Sequence, residues 1–125
     1  MKGFNTGIVE CNAKITSTML GIEDHGVLTV YLTLDYGGAG QGFGGHVLDG
    51  PYDEATKRRA DSAAFALYVR RVMEVVGVNS WEALKGQFCR VRQSHSKVHA
   101  IGNLLEDKWF FPEEELKAFL GEPRP

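Results

Sequence analysis

The sequence predicts an α+β domain: an antiparallel sheet of about five strands packed by one main helix, with a short helix and a C-terminal helix beside it. Three observations carry this. Two alternating runs rich in β-branched residues come first, and a glycine-rich stretch leads into a third. A long segment then switches to three- and four-residue apolar spacing. Two further strand-like runs and a proline-led helix close the chain. Strands and helices that are grouped rather than strictly alternating point to α+β. A chain of 125 residues is sized for one domain, residues 1–125.

Residues 1–13 read as an arm or an edge strand. Ile15, Thr16 and Thr18 give residues 14–20 strand character, and the Gly21–Gly26 stretch supplies turn chemistry. Residues 27–36, with Val27, Leu28, Thr29, Val30, Tyr31, Leu32, Thr33 and Leu34, are the strongest strand and pair with the first run as a hairpin. A third strand is expected over residues 43–48, ended by Asp49-Gly50-Pro51. From residue 54 to 76 Phe65, Val69, Val72, Met73 and Val76 form a helical stripe, and Gly77 stops it. Ser80 caps a short helix at 81–84, ended by Gly86. Residues 87–93 and 98–105 make a second strand pair around Ser94-His95-Ser96-Lys97. Pro112 opens the last helix, with Glu113, Glu114 and Glu115 in its first turn, where proline and acids are both favourable. Residues 121–125 read as a frayed tail.

Charge narrows the function classes. Fourteen basic residues face sixteen acidic ones, for a net charge of -2. Non-specific nucleic-acid binding, which needs a basic excess to release counterions, is not expected. No apolar run has the length of a membrane span, and no apolar core follows Met1-Lys2-Gly3-Phe4-Asn5, so neither membrane insertion nor a secretory signal is expected. Cys11 and Cys89 form no CxxC motif and read as reduced thiols of a cytoplasmic protein.

Between Gly37 and Gly45, six of nine residues are glycine. Each glycine in ordered structure costs roughly 0.5–1 kcal/mol relative to alanine. Sharp turns, or close approach of another group to bare backbone, would justify that cost. The stretch is neither a dinucleotide fingerprint nor a Walker loop, because strand-like residues follow it and no Gly-Lys-Ser/Thr does. Two readings stand. In one it is a bulged hairpin with Phe43 in the core. In the other Gly42, Phe43, Gly44 and Gly45 form a ligand-facing wall, with an anion nest of N–H groups and Phe43 stacked on a base.

Lys57-Arg58-Arg59 is expected to open the main helix, with Arg59, Ala63, Ala66 and Arg70 on one face. That face is either solvated and packed on a second subunit, or a phosphate clamp made by Arg58, Arg59 and Arg70. Arg90 and Arg92 share one sheet face. Asn103 either reads a base edge or serves a turn. Trp109-Phe110-Phe111 reads as core rather than as a base-stacking platform. His95 and His99 are four apart, but on a turn rather than a helix, and no metal or other cofactor is expected. Asp24-His25 reads as a turn pair. No Ser/His/Asp or Cys/His set is supported by spacing.

Several motifs taken together resemble a family of small phage proteins: Leu20-Gly21-Ile22-Glu23-Asp24-His25-Gly26, Leu34-Asp35-Tyr36-Gly37-Gly38, Gly40-Gln41-Gly42-Phe43-Gly44-Gly45, Lys57-Arg58-Arg59, Trp81-Glu82-Ala83-Leu84-Lys85-Gly86, Ile101-Gly102-Asn103 and Asp107-Lys108-Trp109-Phe110. The pattern is similar to that of the phage anti-Thoeris signal sponges. The resemblance implies a non-enzymatic immune-evasion protein in the cytoplasm of an infected bacterium. Such a protein sequesters a cyclic ADP-ribose isomer made by TIR-domain enzymes without cleaving it. The resemblance also implies a homo-oligomer, some members holding cyclic oligonucleotides at separate sites. Two alternatives remain at this point. One is a phage protein–protein inhibitor of a host defence complex, such as an anti-CRISPR. The other is a nucleotide-cleaving enzyme, if the histidines converge in space.

Overall fold

The computed structural model describes residues 7–23, 26–46 and 48–119. Residues 1–6 of the expected arm, the Asp24-His25 pair, Val47 of the expected third strand and the tail from residue 120 lie outside the described residues. Among the described residues there are eight strands: β1 (Val9–Ile22), β2 (Leu28–Asp35), β3 (Gly40–Gly44), β4 (Tyr52–Asp53), β5 (Arg58–Arg59), β6 (Phe88–Gln93), β7 (Val98–Gly102) and β8 (Trp109–Phe110). The helices are α1 (Ala63–Val76) and α2 (Pro112–Phe119), with a short 3-10 turn at Trp81–Ala83. Six strands form one antiparallel sheet in the order β3-β2-β1-β6-β7-β8, and β4 and β5 form a separate ribbon. The fold is α+β, as expected, with six strands in the main sheet in place of about five.

β1 is longer and more central than the sequence suggests. Its first half pairs with β6, from Val9 opposite Gln93 to Lys14 opposite Phe88. Its second half pairs with β2, and a bulge between Ile15 and Ser17 resets the register. In β2 the alternation is strict: Val30, Leu32 and Leu34 are buried while Tyr31, Thr33 and Asp35 face out. β2 turns into β3 through Gly37 and Gly38, both at positive φ (90° and 127°). The Asp35 carboxylate accepts the N–H of Gly37 at 3.0 Å, and Tyr36 N donates to Ala39 O at 2.7 Å. A two-residue hairpin loop with both φ angles positive is glycine's natural place.

The main helix starts nine residues later than the spacing predicts. The carboxylate of Asp53 accepts the N–H of Ala55, Lys57 takes a left-handed φ of 62°, and Tyr52 pairs with Arg59. These contacts close the ribbon where a first helical turn was expected. The helix begins after Ser62, whose hydroxyl accepts the N–H of Ala64. Gly77 ends it at φ 96°, donating to Met73 O. The buried stripe of α1 is Ala64, Tyr68, Val72, Val75 and Val76, while Phe65 and Val69 only pack against its margin.

The sheet wraps around α1. Phe43 lies on β3 and Phe110 on β8, the two outermost strands, yet their ring centroids are 6.3 Å apart. Tyr68 of α1 touches both, at 5.8 Å and 5.1 Å. Rings at these separations pack favourably edge to face or offset. Gln41 ties the wrap shut, donating from Nε2 to Ser94 O at 3.0 Å on the β6–β7 turn. The two edges of the sheet therefore approach one another and leave a seam between them.

Candidate functional site

The seam lies between β3 and β7. β8 pairs with β7 only at Ile101 and Gly102, so the earlier part of β7 has no strand on that side among the described residues. On the facing side β3 is also an edge. Gly45 donates to Val30 O at 3.3 Å, which places the odd-numbered residues of β3 in hydrogen-bonded register with β2. An antiparallel ladder alternates, so the main-chain groups of Gly42 and Gly44 point away from β2, into the seam.

Two adjoining hollows fill this space. The inner one, about 90 Å³, is walled by Gly42 and Gly44 on one side and by Lys97 and His99 on the other, with His46 and Glu113 also lining it. The outer one, about 230 Å³, is lined by Ile8, Arg92, His99, Phe111, Glu113 and Glu114. His99 and Glu113 belong to both. Each hollow is smaller than the roughly 300–1,000 Å³ usual for a ligand pocket.

Lys97, His46, His99 and Arg92 share the two hollows with the carboxylates of Glu113 and Glu114. Lys97 Nζ is ion-paired with Glu113. That hydrogen bond and charge hold the Glu113 carboxyl below its ordinary range, and His46 and His99 act in the same direction. His46 is pushed the other way from Glu113's influence: burial favours its neutral ring and lowers its pKa. Its Nδ1 is buried with no hydrogen-bond partner among the described residues, and the ring leans on Tyr68 at 5.4 Å. His99 Nε2 lies 2.9 Å from Ser94 Oγ. Arg92 is held over two rings, 4.6 Å from the Trp109 centroid and 5.5 Å from that of Phe111. Stacked this way, the guanidinium is fixed at the rim of the outer hollow.

The sequence-derived candidates divide sharply. Gly42 and Gly44 line the inner hollow. Gly45 instead lines a different hollow, beside Tyr31 and Met19. Phe43 is 2% exposed and packed between Tyr68 and Phe110, so it offers no face to a base. Strand alternation is the reason: with Gly42 and Gly44 outward, Phe43 must point inward. Arg58 and Arg59 stand on the β4–β5 ribbon rather than on a helix face, and Arg58 is paired with Asp61 at 3.0 Å. Arg70 is exposed on α1, and none of the three lines either seam hollow. The helix face expected to carry Arg59 beside Arg70 is therefore not formed, since the helix begins at Ala63. Asn103 is spent on structure. Its Nδ2 donates to Val75 O at 2.9 Å, and its Oδ1 accepts from Leu105 N and Glu106 N. It closes the end of α1 and forms the turn after β7, leaving nothing to read a base.

Spacing alone missed Arg92, Lys97, Glu113 and Glu114 as neighbours. A signal for them existed in the alternation of Arg90 and Arg92 and in the placement of Lys97 at a turn. Nothing in the sequence told that the turn would meet the glycine strand. Elsewhere, Arg90 is tied down by Asn103 O at 2.7 Å and Glu106 O at 2.8 Å. Cys89 is buried, which pushes its thiol pKa up to about 12, and both cysteines are free. Among the described residues no group of His, Cys, Asp and Glu is arranged to hold a metal ion, and no helix is long and apolar enough to cross a membrane. Comparison with protein-family models, with curated proteins and with solved structures finds no match to this chain.

Proposed function

We propose that the protein binds a phosphorylated, nucleotide-derived small molecule in the seam and sequesters it uncleaved, in the cytoplasm of a phage-infected bacterium. This is the role implied by the resemblance to the anti-Thoeris sponges, whose ligands are cyclic ADP-ribose isomers. One observation carries the reading: the outward main-chain edge of Gly42 and Gly44 faces Lys97 and His99 across an open hollow. Bare N–H groups beside an ammonium and imidazoles are a setting for phosphate oxygens. The small volume of each hollow favours a site completed by a second copy of the chain, in line with a homo-oligomer.

The test is retention. The protein is incubated with cyclic ADP-ribose isomers, freed of unbound ligand, and heated until it denatures. The reading requires the ligand to be released with unchanged mass. Failure to retain it removes the reading.

A specific observation favours a second reading. His46 and His99 come from distant parts of the chain yet line one hollow with Glu113. Two imidazoles and a carboxylate are groups that general acid–base chemistry employs. Under this reading the released ligand has been cleaved, and the same experiment separates the two.

A further inference from the structure

The two hollows differ in chemistry, and the difference assigns parts of a ligand to each. This inference rests on the seam being the binding site. The inner hollow offers donors: Lys97, His46 and the outward N–H groups of β3. Its one carboxylate, Glu113, is already held by Lys97. The outer hollow is unsuited to a phosphate, since two carboxylates, Glu113 and Glu114, stand at its wall. It has instead two apolar surfaces, Ile8 and Phe111, and one guanidinium, Arg92, stacked on Trp109 and Phe111 and ion-paired through Nε with Glu10 at 3.5 Å. The Glu114 carboxylate has no protein partner among the described residues.

A flat, apolar ring with a hydrogen-bond donor beside an acceptor matches this set. A carboxylate accepts and never donates when ionised, and a guanidinium donates and never accepts. Glu114 therefore calls for an N–H on the ligand and Arg92 for a ring nitrogen or carbonyl oxygen. A nucleobase with an exocyclic amine next to a ring acceptor supplies both, with Phe111 against its face. We infer that the outer hollow is a base subsite selecting a nucleotide whose base carries an exocyclic amine. Glu114 accepts from that amine and Arg92 donates to the adjoining acceptor. The phosphate then lies on the inner side, where it takes over Lys97 from Glu113. The ligand spans the shared wall of His99 and Glu113, which accounts for two small hollows in place of one large one.

The probe pair is adenosine 5′-monophosphate and purine riboside 5′-monophosphate, which differ only by the amine. Calorimetry on the full chain is expected to give at least tenfold tighter binding of the first. Glu114→Ala, an exposed position at the start of α2, is expected to abolish that difference. Equal affinities in the unmodified protein, with either nucleotide bound, overturn the base subsite and leave the seam site standing. A preference that survives in Glu114→Ala overturns the role of Glu114. Failure of both nucleotides and of the cyclic ADP-ribose isomers to bind removes the seam site as well.

Discussion

The indole of Trp109 lies over Gly102, at 2.7 Å from where a β-carbon on that residue would stand. Gly102 and Trp109 are partners in the β7–β8 register, so the bare strand is what lets the ring lie flat. The guanidinium groups of Arg90 and Arg92 lie 4.9 Å and 4.6 Å from the centroid of the same ring. One glycine thus sets the height of a stack that ends at the candidate site. Gly102→Ala is expected to lift the indole and cost about 1–3 kcal/mol, the usual range for overpacking. Denaturant unfolding measures the cost, and a change in tryptophan emission reports the displaced ring.

Two glycines of β3 are expected to respond differently to alanine. A β-carbon at Gly42 would meet the end of the Tyr31 side chain, which is 40% exposed and free to swing. At Gly44 it would come within 2.3 Å of Val30 O, fixed main chain, at a φ of 130°. Gly44→Ala should therefore cost on the order of 1–3 kcal/mol, the range for backbone held in a sparsely populated region. Gly42→Ala should cost clearly less. Melting temperatures of the two variants decide it, and equal losses would contradict the placement of Tyr31.

Asn103 is a structural residue on this account. Asn103→Ala removes two acceptor contacts and two donor contacts at the junction of α1 with the turn after β7. The expected loss of stability is about 1–3 kcal/mol. Ligand affinity measured well below the melting temperature should stay within twofold.

These contrasts show which parts of the molecule were legible in the sequence. Alternation gave β2 and β6, and the α1 stripe was recovered from residue 63 onward. Its start was lost because Asp53 and Lys57 make a local turn that helical spacing does not register. Asp61-Ser62 held the true cap. Of the two readings open for the glycine stretch, the hairpin with Phe43 in the core is the one the fold adopts, because strand parity sends Phe43 inward. The partners of the glycine edge were invisible, because Lys97 and Glu113 meet it only when the sheet wraps until β3 approaches β7.

Arg71 joins three elements. It reaches Glu115 of α2 at 2.8 Å, Trp109 O of β8 at 2.8 Å and Glu74 at 3.0 Å, with its side chain 26% exposed. Arg71→Met should keep much of the packing and lose these bonds. About 1–3 kcal/mol of stability is expected to go with them, the range for hydrogen bonds to charged groups. Urea unfolding checks this, and a loss below a few tenths of a kcal/mol would argue against the bridge.

The acid side of the stability profile should carry the mark of His46. Its folded-state pKa lies below the ordinary 6.5 because burial disfavours the charged ring. The unfolded chain therefore binds the proton more readily. The stabilisation is complete above 6.5 and is lost as pH falls through the lower folded value. Glu113 has the same sign but acts below the ordinary carboxylate value of 4.5, in a separate window. Melting temperatures across mildly acidic pH should fall in the unmodified protein and flatten in His46→Phe.

The central claim is that a phosphorylated guest sits in the seam between β3 and β7. An amide chemical-shift titration of isotope-labelled protein with a cyclic ADP-ribose isomer tests it most directly. The account predicts saturable shifts at Gly42, Gly44, Lys97 and His99, with Arg58, Arg59 and Arg70 unmoved. Shifts centred on the arginine ribbon, or none at saturating ligand, would contradict it.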